Sequence, residues 1–472
     1  MEEYIKFIQE LQGSGFQFVN LHFTDILGGF HTVSIPLTKL SAEELANGVP
    51  FDGSSVPGFA NIQQADLALL PDFDNLFPDS ISEDDVSVGV ICNIIEVDTK
   101  QPIARDPRNI LAQAEKLLLE KYSAKSLWLP ELEFYLFDSV NCYYDDFSAM
   151  HKFQLSETYD IQEPTMNVAK IPSLGGYHSS PPEDNGYYFR NTLVQLLTNL
   201  EIGIRYHHHE VGAGQNEVEL FPQTAMKTAD NIMIFKYFAR RVASAYDMAI
   251  TFMPKPLHNF PGNGLHFHQW LEKDGVSLFW DKNADYAHLS DMALHYIAGL
   301  LSHSPALTAL TNPSTNSFKR LIPGFEAPTK SFFGLANRSA AVRIPKYVDT
   351  PQKKRVEYRP PDASCNPYLA IAGMILAAVD GIEKELNPSK LKFGPFDDDV
   401  TRWSENDQKK LKTLPHNLYD AMSELEKDSE FLMVDEIFPP EFIEIYTESV
   451  LTVAREIEQR PTSIEVAKYF GV

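Results

Sequence analysis

The chain has 472 residues, 44% of them hydrophobic and 12% aromatic, enough for a large core and for two domains. Its formal net charge of −25, with no basic patch to offset it, argues against nucleic acid as a partner and favours divalent cations. The three cysteines, Cys92, Cys142 and Cys365, form no CxxC pair, so neither a disulfide framework nor a structural zinc site is expected, and a reduced cytoplasm fits.

In residues 1–12, Tyr4, Phe7, Ile8 and Leu11 share one helical face, and this acidic segment lacks the basic start and apolar run of a signal peptide. Strand patterns follow in FQFVNLHF and FHTVSIP on either side of Gly28–Gly29. After a loop at Phe51–Phe59 they resume at Ala65–Leu70 and Val86–Val97. This small, mostly β unit ends near Arg105, where Asp106-Pro107 opens a helix over Arg108–Tyr122 with proline in its first turn. The expected domains are therefore 1–105 and 106–472.

The second part alternates strands with helices near Tyr188–Leu200, Thr228–Ala249, Ala284–Leu301 and Pro367–Glu385. Residues 387–420 read as loop-rich, and Pro440–Phe470 as helical. The longest apolar run, Tyr368–Val379, spans 12 residues, too short for a bilayer, so no membrane partner is expected. The chain contains no internal repeat, Walker A motif, GxGxxG or HExxH, so a nucleotide would not be held by a P-loop.

Four stretches carry the chemistry. In LWLPELEFYLF (Leu127–Phe137), Glu131 and Glu133 lie two apart on one strand face, with Leu132, Phe134 and Leu136 on the other. HHHEVGAGQNEVEL (His207–Leu220) reads as two short strands around the Gly212–Gly214 turn, with Glu210 before it and Glu217 after it. In GNGLHFHQW, His266 and His268 share a face, and in KKRVEYRPPD so do Arg355, Glu357 and Arg359. One strand of this kind would ordinarily turn its carboxylates to water. Four of them in one sheet form a cup of carboxylate, imidazole and guanidinium. Mixed oxygen and nitrogen donors suit Mg²⁺ or Mn²⁺, and arginines suit phosphate oxygens, so the pattern points to metal-assisted phosphoryl transfer. Strands with polar faces turned inward predict an α+β domain whose antiparallel sheet curves around a wet site.

FDGSS (Phe51–Ser55), ELEF, HHHE…GQNE, HFH, PGFEAP (Pro323–Pro328), NRSAAVRIP (Asn337–Pro345) and VEYRPPD follow one another along the chain. In that order and at those spacings the sequence resembles type I glutamine synthetase, the ligase that joins ammonia to glutamate with ATP, over nearly its whole length. The resemblance implies a small β-grasp-like N-terminal domain and a larger catalytic domain whose curved sheet, surrounded by helices, forms a funnel. It implies at least two Mg²⁺ or Mn²⁺ ions per subunit: one on Glu133, Glu210 and Glu217 near glutamate and ammonia, one on Glu131, His266 and Glu357 near the ATP phosphates. Gly262, Arg320 and Arg359 match the glutamate site. Arg338, Arg343 and Arg355 match groups that neutralise phosphate, and His268 falls near the ATP phosphates. Glu326 matches a flap acid, and Asp52 the acid that binds ammonium and takes its proton. The product would form through γ-glutamyl phosphate.

The family assembles as a dodecamer of two hexameric rings, with the Asp52 loop reaching the neighbouring subunit's funnel and Pro440–Phe470 placed to lock the rings. Tyr419, in NLYD, resembles an adenylylation target, and Asn141–Lys170 the insertion of that bacterial subgroup. Three positions depart from the pattern. Pro261 stands where an Asn helps seat glutamate, with Asn263 two residues on as its candidate replacement. Trp270 stands where a Ser is common near the nucleotide, and Arg205 where an acid is expected. A ligase for another amine (a γ-glutamylpolyamine synthetase), a guanidino kinase and a non-catalytic structural or sensing relative are the competing readings. The intact FDGSS loop, the order of the motifs and the six retained metal ligands, respectively, speak against them.

Overall fold

Alternating burial builds the first sheet. On the strand Phe18–Thr24, Val19, Leu21 and Phe23 enter the core. It pairs antiparallel with Phe30–Pro36 and parallel with Ser87–Glu96, and Asp66–Pro78 and Val49–Asp52 complete five strands. This computed structural model describes residues 1–59, 65–81, 86–145, 149–156, 170–172, 174–325 and 327–472. The Asp66–Pro78 strand runs well beyond the expected end at Leu70. Its register slips between Pro71 and Leu76, and that irregularity hides the second half from an alternation search.

The expected helix after Asp106 spans Pro107–Tyr122. The Asp106 side chain caps it by accepting from the Arg108 N–H at 3.1 Å, and Ile110, Leu111, Ala114 and Leu118 form its buried face. It packs beside the helix Pro367–Glu383, which is buried on nearly every side. Asn366 caps that helix by accepting from Tyr368 N and Leu369 N, and Pro367 occupies its first position. The helix Asp291–Ser302 crosses it at Gly299 and Gly381. A Cβ on Gly299 would sit 2.1 Å from the Ala377 carbonyl oxygen, so this crossing requires glycine.

The large sheet has ten strands among the described residues. Its main path runs Phe333–Leu335, Val342–Ile344, Val356–Tyr358, Leu265–Lys273, Lys125–Phe137, Gln215–Leu220 and Ile204–His209. All pairs are antiparallel except the first. One face is apolar and packs on helices: Phe134 meets Phe189, Phe235 and Phe252, and Trp128 meets Phe267 edge-on. The other face is left for the funnel.

Two helix expectations shift. The helix expected over Ala284–Leu301 begins only at Asp291, because Ala287 and His288 adopt left-handed backbone and Ser290 caps the true start at Ala293 N, 3.2 Å. The helix expected over Thr228–Ala249 is Ala225–Ala245, and Ala249 instead opens a short strand paired with Phe137. Pro440–Phe470 holds two helices, Pro440–Glu458 and Ser463–Tyr469. Part of Asn141–Lys170 is a hairpin of Ser139–Tyr144 with Ala149–Gln154, and residues 157–169 lie outside the described residues. Among the described residues no helix is long and apolar enough to cross a membrane.

Candidate active site

Strand register assembles the site in rows. Glu133 stands opposite Glu217, and Glu217 opposite His208. One step along, His266 stands opposite Glu131, Glu131 opposite Glu219 and Glu219 opposite Tyr206. Next come Arg343, Glu357 and His268. Because side chains alternate faces, these residues project to one side, and all but the fully buried Glu219 and His268 line a cavity of about 450 Å³ with Arg320, Arg338 and Arg359.

Two candidate metal clusters result. Glu131, His266 and Glu357 each offer a ligand atom, all within 4.8 Å of one another, and so do His208, Glu210 and Glu217. The first is the expected set. In the second, His208 stands where Glu133 was expected. Glu133 lies beside both clusters, 3.9 Å from His266 Nδ1, and its Oε2 accepts from Gly264 N at 2.7 Å.

The clusters differ electrostatically. Burial alone would raise Glu131 and Glu357, yet His268 and His266 hold Glu131 well below the usual carboxylate range. Arg359 and His268 lead the groups that draw Glu357 down to about 2. Arg343 donates to Glu357 Oε2 at 2.5 Å and Arg359 donates to its other oxygen. In the second cluster burial and then the neighbouring carboxylates push Glu210 up to about 8 and Glu217 well above its ordinary value. The crowded carboxylates of the second cluster and the mixed oxygen and nitrogen donors of the first are both sets a divalent ion fits, so both clusters suit Mg²⁺ or Mn²⁺.

The other expected residues fall as follows. Gly262 lines the cavity, and a Cβ there would sit 2.5 Å from the Pro254 carbonyl oxygen and 2.7 Å from Arg320 Cγ. Arg320 is buried, its Nη1 donating to the Pro360 carbonyl at 2.7 Å and its Nη2 to that of Arg359 at 3.2 Å. Arg359 Nε donates to the Arg338 carbonyl at 3.0 Å. His268 does not reach the cavity wall. It is fully buried behind Glu131, which it meets through Nε2 at 2.9 Å. Arg355 is buried beside Tyr347, with Nε and Nη2 unpartnered. Asn263 cannot replace the missing Asn. Its amide is spent on the Met253 carbonyl at 2.9 Å and on Gln215 at 3.2 Å. Pro261 lines the cavity, and its carbonyl accepts from the Tyr135 hydroxyl at 2.9 Å. Trp270 is buried with its Nε1 unpartnered.

Asp52 is exposed, and both its oxygens are engaged by Ser54 and Ser55; it does not line the cavity of its own chain. Glu326 lies outside the described residues. Tyr419 is away from the cavity, its hydroxyl donating to Glu458 at 2.8 Å. His208, Tyr206 and Tyr347 line the cavity, and Glu219 stands in the Glu131 row, although none was expected. For His208 the signal was present, two residues before Glu210 and so on the same strand face.

Comparison with known proteins agrees with this geometry. Residues 15–97 match the family model described as glutamine synthetase, beta-Grasp domain, and residues 104–469 the one described as glutamine synthetase, catalytic domain. The chain is 38% identical over 478 aligned residues to the glutamine synthetase of Frankia alni, covering 100% of this chain and 99% of that one. It is 37% identical to that of Aquifex aeolicus, covering 98% and 97%. The fold is similar to a glutamine synthetase structure from Plasmodium falciparum, with a TM-score of 0.89, 24% identity and coverage of 99% and 98%. With a β-grasp unit in front, a curled sheet behind it and matches to both family models, the chain belongs to the glutamine synthetase family.

Proposed function

We propose that this chain is an ATP-dependent glutamate–ammonia ligase, giving glutamine, ADP and phosphate through γ-glutamyl phosphate, and that it works with Mg²⁺ or Mn²⁺ in the cytoplasm. The observation that carries this reading is two ligand clusters sharing one cavity wall with Arg320, Arg338, Arg343 and Arg359. Divalent cations held by Glu131, His266 and Glu357 and by Glu210, Glu217 and His208, with Glu133 between them, supply Lewis-acid polarisation and charge neutralisation when bound.

The chain's own groups do the rest. Arg320 and Arg359 are fixed in the cavity wall with Gly262, where their guanidinium planes suit the carboxylates of glutamate. The γ-carboxylate oxygen attacks the γ-phosphorus of ATP and ADP leaves, while Arg338, Arg343 and Arg355 offset the charge that gathers on the phosphoryl oxygens. His268 acts through Glu131, holding its carboxylate in place. Ammonia then attacks the acyl carbon and phosphate departs. Asp52 takes the proton from ammonium, and Glu326 takes one from the attacking nitrogen. Closure against water protects the acyl phosphate. The domain boundary lies near residue 105.

Following phosphate and glutamine together, with ammonium compared against methylamine and putrescine, tests the reading. Equal or better turnover with an amine would overturn the substrate. Because Asp52 is remote from its own cavity wall, we further propose that it serves a neighbouring subunit, in a dodecamer of two rings. Asp52→Ala and Glu357→Ala chains, each inactive alone, then regain part of the activity when co-assembled. Verified mixed oligomers as inactive as the parents would place the site within one chain.

A further inference from the structure

At one end of the cavity Arg205 and Arg343 line the wall, and Arg355 is buried beside them. Where Ile204–His209 pairs with Gln215–Leu220, the register shifts between Glu219 and Leu220, leaving Arg205 as the extra residue of a bulge. Strict alternation would send Arg205 and Tyr206 to opposite faces. With the bulge, both line the cavity. Arg205 Nη1 donates to Glu219 Oε1, and its guanidinium carbon sits 5.1 Å from the Tyr206 ring centre. Glu219 is fully buried, and its second oxygen has no partner.

Arg343 and Arg355 flank the Tyr347 ring at 5.9 and 5.8 Å. Arg343 Nε and Arg355 Nε and Nη2 are buried donors without acceptors. Arg205 and Arg343, on different strands, thus bring two guanidinium groups to the same cavity, an arrangement that suits an anion rich in oxygen.

We propose that Arg205 is a nucleotide-binding residue, held in the cavity by Glu219 as its positioning residue, and that with Arg343 it grips the phosphate chain of the nucleotide. This rests on the reading of the cavity as an ATP site. It gives a function to Arg205, whose positive charge suits phosphate oxygens.

Calorimetric titration of the full-length protein with ADP and with tripolyphosphate, each with Mg²⁺, tests it alongside steady-state kinetics. Arg205→Ala weakens both ligands and raises the KM for ATP by about tenfold or more, the range of one charge-assisted hydrogen bond, while the KM for glutamate stays put. Arg205→Lys, which keeps charge and stem, recovers part of the loss. Glu219→Gln raises the KM for ATP in the native chain but adds nothing once Arg205 is alanine. Unchanged ADP binding in Arg205→Ala overturns the proposal. So does a loss confined to ADP, which would assign Arg205 to the nucleoside, or an equal rise in the KM for glutamate. A Glu219→Gln effect that persists without Arg205 overturns the positioning role. The binding arm needs no turnover, so a chain that grips ADP through Arg205 yet makes no glutamine would refute the ligase reading and leave this one standing.

Discussion

The joint between the two sheets and the Glu210 and Glu217 side of the funnel both bury charge, and they treat it in opposite ways. At the joint every buried carboxylate meets a donor. Arg108 donates to Asp230 at 3.0 and 2.9 Å, to Asp72 at 2.6 Å and to Asn93 at 2.6 Å, and the Tyr368 hydroxyl reaches Asp230 at 2.7 Å. Asp79 meets His22, Asn20, Tyr237 and Arg241. In the funnel, Glu210 and Glu217 face other carboxylates and rise instead. At the joint, charge compensated by the chain itself fastens the domains, whereas the uncompensated Glu210 and Glu217 mark a place where something binds.

The sharpest way to break this comparison is to neutralise one member of each region. Glu217→Gln is expected to cut phosphate release by more than about a hundredfold, the scale seen even for the outer partners of metal ligands. In metal-free buffer the same variant should melt no lower than the native chain, because the substitution relieves repulsion. Loss of stability alongside loss of activity would show that Glu217 is structural.

Arg108→Met removes the cation from a joint built around it and leaves Asp230 and Asp72 facing each other without it. Breaking a buried pair in this way costs about 3–5 kcal/mol, so denaturant unfolding should show a loss of that size. A loss below about 1 kcal/mol would mean the joint is held by apolar packing and that its ionic network decides little.

Adding a divalent cation sharpens the same contrast from the other side. If the funnel clusters bind Mg²⁺ or Mn²⁺, a concentration a hundred times the dissociation constant stabilises the folded chain by about 2.7 kcal/mol. Calorimetry with and without chelator measures the shift, which should vanish in a Glu217→Gln, Glu357→Ala double variant while the joint stays intact. A shift that survives in that variant would place the bound ion elsewhere.

The sequence made the funnel legible wherever strand alternation was regular. Glu131, Glu133, His266 and Glu357 could be placed on one face because period two leaves no choice, and the same rule would have yielded His208. Arg205 was legible as a departure but not as a cavity residue, because its direction depends on a register shift that only the pairing with Glu219 creates. Glu219 itself read as one more residue of a strand end. His268 shared a face with His266, yet packing pushed it behind Glu131, and alternation cannot report depth. The helix expected at Ala284 failed because two left-handed residues interrupt a pattern that looked continuous. What Asp52 reaches cannot be read from one chain, since its own cavity does not include it.

His303 offers the smallest and most selective test, because it is a compensated site whose cation is conditional. It sits between the helices Asp291–Ser302 and Ser304–Thr311, with Nε2 3.0 Å from Asp380 and Nδ1 2.9 Å from Asp428, and the Phe431 ring stacks on it at 4.0 Å. Only the imidazolium can donate to both carboxylates; the neutral ring must present one lone pair to an acceptor. Burial pulls the ring down, but hydrogen bonds donated to Asp380 and Asp428 outweigh it and hold His303 above its ordinary value of 6.5. A group raised by folding contributes stability that is full below its unfolded value and is lost as pH climbs through its folded value. Stability from this site should therefore decline from about pH 6.5 upward. Asp428 is partly exposed, so solvent screening keeps the loss on the order of 1 kcal/mol. The measurement is the unfolding free energy of the native chain minus that of His303→Gln across that range. The difference should shrink as pH rises. A difference that stays flat or grows would mean that His303 is neutral in the folded chain and that one of the two carboxylates carries the proton instead.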